Sequence, residues 1–279
     1  MNSSDVELVL AQEIQAHNYG AAHANKIHSD EGAAEYGFAG ALVPGVALYA
    51  YLLRPVMDFP DDKLAIDLLE RGTVSAKFIH PIYDGERVRA EAKVISYEED
   101  PFQFELQLLN SENSLCAVGR AATPVNLPSI NPTEYPAKAL PTEENRWPAT
   151  IQAVSAGEIL GSLDFTFQVD SQKEFLENLR DDSPLYRAAD GVCHPAFWIA
   201  QANEVFMQNF ALGMWIHTSS ETQHYALARD SERLTMRGRI VETSERRGHE
   251  IVTADLVVFG EADRVIATIQ HSAIIRLKA

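Results

Sequence analysis

Basic residues are scarce in this chain: lysine and arginine number 23 against 40 aspartates and glutamates, a net charge of −17 with neutral histidines. That balance argues against nucleic acid and anionic membrane surfaces as partners, because such a surface repels their phosphates. Cysteine is scarcer still. Cys116 and Cys193 stand far apart and outside any CxxC pair, so neither a disulfide framework nor a zinc site is expected, and no metal or organic cofactor is expected either. No run approaches the ~18 uncharged apolar residues of a membrane span. The N-terminal MNSSDVELVLAQEIQ also lacks the basic start and apolar core of a secretory signal. The expectation is a cytoplasmic protein whose 279 residues, 46% of them apolar, suffice for a substantial core.

Proline is concentrated where the pattern breaks. Six of the thirteen prolines fall between Pro124 and Pro148, and a residue that fixes φ and removes a backbone donor suits an extended linker rather than a helix or a central strand. The chain therefore divides into 1–125, a linker at 126–148, and 149–279. Both flanking units read in the same order. In the first, the strand pattern VELVLAQEIQ precedes a polar stretch, an apolar helix from Gly45 to Met57, and strand patterns in GTVSAKFIHPI, RVRAEAKVISYE, FQFELQLLN and LCAVGRAATPV. The turn YDGE is expected to close a hairpin. In the second, LDFTFQVD, a polar helix around SQKEFLENLR and the helix HPAFWIAQANEVFMQNF lead into four more strand patterns. Alternation such as Phe102, Phe104, Leu106, Leu108 marks half-buried antiparallel strands, and the repeated order predicts a tandem α+β architecture.

The segment HANKIHSDEGAAEYGFAGALVPG, His23 to Gly45, carries the densest chemistry. His23, Asn25 and His28 stand before a glycine-rich turn, and Gly45 follows Pro44 at the start of the apolar helix. Unpaired amides and the dipole at a helix N-terminus bind a carbonyl oxygen that gains negative charge, and a nearby histidine moves protons. The same residues also suit a plain structural role, with the histidines capping the turn and Gly45 serving close packing.

This segment resembles the hydratase motif of the MaoC-like, (R)-specific enoyl-CoA hydratase/dehydratase family, Asp-x-Asn-Pro-x-His followed by a glycine that opens the hot-dog helix. Asn25 and His28 fall on the motif asparagine and histidine, and Gly45 on the glycine whose amide holds the thioester oxygen. FIHPIYDGERVRAEAKV resembles the family's strand pair, so the likeness covers roughly residues 5–125. Two positions depart from the motif: His23 occupies the place of the catalytic aspartate, and Lys26 replaces the proline. Asp30 is a candidate substitute carboxylate.

No second Asn-x-x-His precedes the later helix. CHPAFWIAQANEVFMQNF with GMWIHTSSETQHYALA instead resembles the C-terminal half of TesB-type double hot-dog thioesterases, which implies Glu204 on the helix, with Thr218 or Ser219 on the next strand, as a water-activating set. His217 and His224 flank that strand, while His271 alternates with Val265, Ala267 and Ile269 and so points inward; such histidines are more often core than catalyst. His194 reads as a helix-start residue, and His80 borders the cleft. Arg54, Lys77, Arg87 and Arg89 read as surface pairs, with a ligand phosphate as the alternative.

The resemblances imply a double hot-dog: two antiparallel sheets, each wrapped around a long central helix, forming a pseudo-dimer in one chain with its cleft between the halves. They imply an enoyl-thioester hydratase or dehydratase using His28, His23, Asn25 and Gly45, with an acyl-CoA thioesterase or a non-catalytic acyl-ligand binder as alternatives. The expected partner is an acyl thioester of CoA or a carrier protein, and a homo-oligomer is compatible with the fold.

Overall fold

A computed structural model describes residues 8–22, 25–59, 62–96, 101–124 and 126–278. Ahead of the proline-rich stretch lie strand β1 (Val9–Gln15), helices α1 (Asp30–Ala34), α2 (Gly45–Met57) and α3 (Asp62–Arg71), and strands β2 (Thr73–Phe78), β3 (Arg87–Ser96), β4 (Gln103–Leu109) and β5 (Leu115–Ala122). The short β6 (Trp147–Pro148) leads into β7 (Leu163–Thr166), α4 (Gln172–Asn178), α5 (Pro184–Arg187), α6 (Ala196–Asn209) and the short β8 (Phe210–Ala211). The last strands are β9 (Ile216–His224), β10 (Arg233–Arg246), β11 (His249–Phe259) and β12 (Val265–Arg276).

Ten of these strands form a single sheet in the order β1-β3-β4-β5-β2-β9-β12-β11-β10-β7. The two half-sheets of the expected pseudo-dimer are thus joined into one continuous sheet. Strands β2 and β9 pair antiparallel, from Thr73 opposite Gln223 to Lys77 opposite Ser219, so each satisfies the row of backbone groups that an unpaired edge would expose. Side chains reinforce the seam: the Thr73 hydroxyl donates to Gln223 Oε1 at 2.7 Å, and Gln223 Nε2 donates to the Arg71 carbonyl at 2.8 Å. Read inward from either end, the five strands have the same relative order of connection.

Helix α2 packs across the first five strands and α6 across β7, β10 and β12, and the two helices touch each other. Eleven of the thirteen residues of α2 are buried, which makes it a central helix that is apolar nearly all round rather than a surface amphipath. Its exception, Arg54, reaches Asp58, Asp181 and Asp182 and donates to the Arg180 carbonyl. Arg54 is thus committed to tying α2 to the loop between α4 and α5, and Arg89 pairs with Glu91.

Two features differ from the sequence reading, and a third adds to it. Helix α3, from Asp62, buries Leu64, Ala65, Leu68 and Leu69, a helical stripe only one turn and a half long. The YDGE turn joins no hairpin, because β2 pairs with β5 and β9; its Gly85, at φ +73, instead donates its amide to the Ala16 carbonyl, 2.9 Å away at the end of β1. The proline-rich stretch is extended with two short 3-10 turns and lies on the outer face of the later strands, where Tyr135 is buried against Val257 and Phe259.

Close approach dictates one core position. A Cβ at Gly119 on β5 would overlap the Ser75 carbonyl oxygen on β2 and press on Leu52 of α2. Gly119→Ala should lower stability by about 1–3 kcal/mol, read as a lower urea midpoint at constant m-value; an unchanged midpoint would show that β5 and α2 can part there freely.

Candidate active site

The polar motif is built by local hydrogen bonds. Asn25 is 7% exposed, accepts from the Ile27 amide at 3.3 Å and donates to the Trp215 carbonyl at 2.9 Å. It thereby caps the single 3-10 turn Lys26–His28 and ties it to the residue just before β9. His28 Nδ1 lies 2.7 Å from the Leu42 carbonyl oxygen. A carbonyl only accepts, so Nδ1 carries the proton and Nε2 is the acceptor of the neutral ring. Asp30 does not serve His28: its Oδ1 accepts from the Ala41 amide at 2.8 Å and holds the glycine-rich turn. His23 lies outside the described residues.

Gly45 opens α2 after Pro44. The Ala47 and Leu48 amides turn back to the Pro44 carbonyl, whereas those of Gly45 and Val46 donate to no acceptor among the described residues. Asn25, His28 and Gly45 line one cavity of about 240 Å³, whose walls are Leu48, Phe78, Ile82 and other apolar side chains. A second cavity, of about 400 Å³ between α2, α4 and α6, shares Asn25, His28 and Trp215 with the first.

Glu204 lines this second cavity, where its Oε1 accepts from Gln208 Nε2 at 2.5 Å. Thr218 lines the first, at a register shift between β9 and β12, and its hydroxyl is donated to the Ser272 carbonyl at 3.0 Å. The two therefore face different spaces. His80 borders the first cavity as expected, with Nδ1 donating to the Leu115 carbonyl at 2.8 Å. His194 stands at the start of α6, accepting from the Ala196 amide at 3.1 Å and facing Asp181 at 3.4 Å.

Among the residues that the sequence left as ordinary core, His217 lines the first cavity. On β9 the inward row is His217, Ser220, Thr222 and His224, all buried. His217 Nε2 is 2.8 Å from Ser220 Oγ, which is 2.9 Å from His271 Nδ1, and the two imidazoles stack with centroids 4.3 Å apart. His217 Nδ1 makes no hydrogen bond among the described residues, and it would stand 2.8 Å from a Cβ placed on Gly45. Burial pushes His217 down to about 3, against a smaller upward pull from the Ser219 backbone, and His224 down to about 4. Burial and then the neighbouring His217 hold His271 well below the usual histidine range. Simple alternation could not place Ser220 beside His217, because the irregularity at Thr218 shifts the phase of the strand.

The sequence matches no family profile and no curated protein. Solved structures match it over nearly its whole length. A protein assigned as a MaoC-domain dehydratase from Chloroflexus aurantiacus gives a TM-score of 0.68 at 10% identity, covering 98% of this chain and 96% of its own. A double-hotdog protein from Mycobacterium tuberculosis gives 0.62 at 13% identity over 96% of each chain. One assigned as an oleoyl thioesterase from Lactobacillus plantarum gives 0.59 at 10% identity, covering 98% and 99%. The fold is therefore a double hot-dog of α+β class, the fold of proteins assigned to both dehydration and thioester hydrolysis. Among the described residues no cluster of metal ligands is found, and no helix is long and apolar enough to cross a membrane.

The buried histidines set a pH dependence. His217 and His224 have folded values below the ordinary 6.5, so the unfolded chain binds protons first as pH falls. Their contribution to stability is complete above about pH 6.5 and declines below it by ~1.4 kcal/mol per pH unit for each ring. The decline levels off near pH 4 for His224 and near pH 3 for His217. Urea melts from about pH 8 to about pH 4 should show this slope reduced in His224→Leu; an unreduced slope would mean that His224 is charged in the fold.

Proposed function

We propose that the chain is an acyl-thioester hydratase or dehydratase, acting on a CoA or carrier-protein thioester in a cleft between units 1–125 and 149–279. The observation that carries this reading is one cavity lined both by a histidine of fixed tautomer and by Gly45, whose amide at the start of α2 donates to no acceptor among the described residues. The thioester oxygen would take the Gly45 amide, which stabilises the enolate that forms when hydroxide adds to C3 and that collapses when hydroxide leaves. In hydration His28 Nε2 takes a proton from the water that adds to C3, and the resulting imidazolium delivers it to C2 of the enolate; in dehydration neutral His28 takes the C2 proton and its imidazolium gives it to the departing hydroxide. The apolar walls accept the acyl chain. Asn25 is a positioning residue, which holds the His28 turn against Trp215. With His23 in place of the motif aspartate, the carboxylate that usually helps hold the water is replaced by a titratable ring.

A thioesterase is the second reading, favoured by Glu204 on the cavity that shares Asn25 and His28 with the first. Thr218 supports it less well, since its hydroxyl proton is engaged by Ser272.

The deciding experiment follows crotonyl-CoA and longer 2-enoyl-CoAs by loss of enoyl absorbance and by release of free thiol, with wild type and His28→Ala. Enoyl loss that falls by roughly 10²–10⁴-fold in kcat/KM in the variant is expected for a lost general base. Thiol release without enoyl loss, abolished by Glu204→Gln, would establish the thioesterase instead. Saturable binding with neither signal would leave a binding protein.

A further inference from the structure

The seam between the two half-sheets brings a residue from β9 against the helix that carries the motif glycine. Gly45 and His217 are far apart in sequence, yet the imidazole occupies the space that any side chain at position 45 would claim. His217 is 6% exposed, Phe78 meets its ring edge-on at 4.9 Å between centroids, and its Nδ1 has no partner among the described residues. A buried ring nitrogen without a partner is costly, by about 1–3 kcal/mol, and a purely structural strand would bury an aliphatic residue there at lower cost. His217 lines the same cavity as Gly45, beside the helix start where two amides also lack acceptors among the described residues.

We propose that His217 is a second oxyanion donor, its neutral imidazole giving the Nδ1 proton to the acyl carbonyl oxygen alongside the Gly45 amide, with Ser220 and His271 as the positioning residues that fix its tautomer. This inference rests on the reading of the cavity as an acyl-thioester site, and holds for hydration and hydrolysis alike, since both polarise the same carbonyl.

Hydrogen-bond accounting selects the tautomer. In one arrangement His271 Nδ1–H donates to Ser220 Oγ, the Ser220 hydroxyl donates to His217 Nε2, and His217 Nδ1–H points into the cavity. The reverse arrangement leaves His271 Nε2–H as a donor with no hydrogen-bond partner in a ring that is 0% exposed. The first leaves a lone pair at that nitrogen and moves the one unpartnered N–H to His217, which lines the cavity, where a ligand oxygen can accept it. Once a carbonyl oxygen enters the notch, every N–H and O–H of the three side chains is used. The electrostatics agree. A helix N-terminus and an enclosed site both disfavour imidazolium, and a neutral imidazole in that setting polarises a carbonyl without giving up a proton. No charged side chain contacts the His217 ring among the contacts described: Gly45 lies on α2, Phe78 on β2, Ser220 on β9 and His271 on β12.

The test combines kinetics with a direct view of the ring. With crotonyl-CoA as substrate, followed by both enoyl loss and thiol release, His217→Leu should lower kcat by roughly 10²–10³-fold with little change in KM, as for removal of an oxyanion donor. His217→Asn, which places an amide N–H near the position of Nδ1, should recover most of that loss. Ser220→Ala should lower kcat by a smaller factor. Nitrogen-15 NMR of histidine-labelled wild type saturated with butyryl-CoA, whose saturated chain cannot be hydrated, should show His217 in the Nδ1–H form; this measurement needs no variant to fold. A His217 Nδ1 that is unprotonated in that complex would overturn the assignment. So would a His217→Leu enzyme within about threefold of wild type, and if His28→Ala were inactive at the same time the hydratase reading would stand without it. A wild type silent in both assays would remove that reading and this inference together.

Discussion

The pairing of β2 with β9 is the constraint on which the rest depends. It turns two half-sheets into one, sets α2 and α6 side by side above the seam, and places the start of β9 under the start of α2. Every residue of the proposed site hangs on that register. Asn25 reaches the Trp215 carbonyl because β9 begins there, and His217 meets Gly45 because β9 runs antiparallel to β2 immediately beneath the helix. A slip of one residue along the seam would turn His217, Thr222 and His224 to the outer face and expose the opposite set to the helices.

The seam also explains why polar residues are tolerated in the core. Four inward positions of β9 carry hydrogen-bonding side chains, and several of their atoms have no protein partner. A central strand of a plain scaffold would be aliphatic there. One end of the polar row, His217, lines the first cavity, so part of the unfavourable burial falls where a ligand can relieve it. Asp181 belongs to a comparable but fully occupied cluster. Burial alone would raise its carboxyl, yet His194, the Ser183 amide and Arg54 together bring it below the usual range.

Much of the fold was legible because the long elements are strongly patterned. Alternating Phe102 to Leu108 and the apolar run Val46 to Met57 point to one structure each, and the repeated order of elements carried the tandem architecture. What sequence could not show was which strands make the join between the halves, since nothing in TVSAK or SSETQ says which strand edge each will meet. Helix α3 was hidden by its short stripe, and the YDGE turn suits a hairpin that the pairing of β2 then forbids. For the site, Asn25, His28 and Gly45 could be read from local spacing. Their meeting with His217 depends on a contact across most of the chain, and Ser220 depends on a local irregularity that breaks the period-two pattern.

The arrangement has a consequence for how the site persists. In a hot-dog homodimer, two identical chains must associate before a shared cleft exists, and the fraction assembled falls on dilution. Here the stretch containing Tyr135 lies along the outer face of the later strands and keeps the two halves on one chain, so their encounter is intramolecular at fixed effective concentration. The cleft is therefore as complete in a single molecule as in a concentrated solution. Because the two halves are not copies, a change in one strand alters one wall only, which is how His217 can occupy one side of a cavity whose other side carries the Asn25–His28 turn.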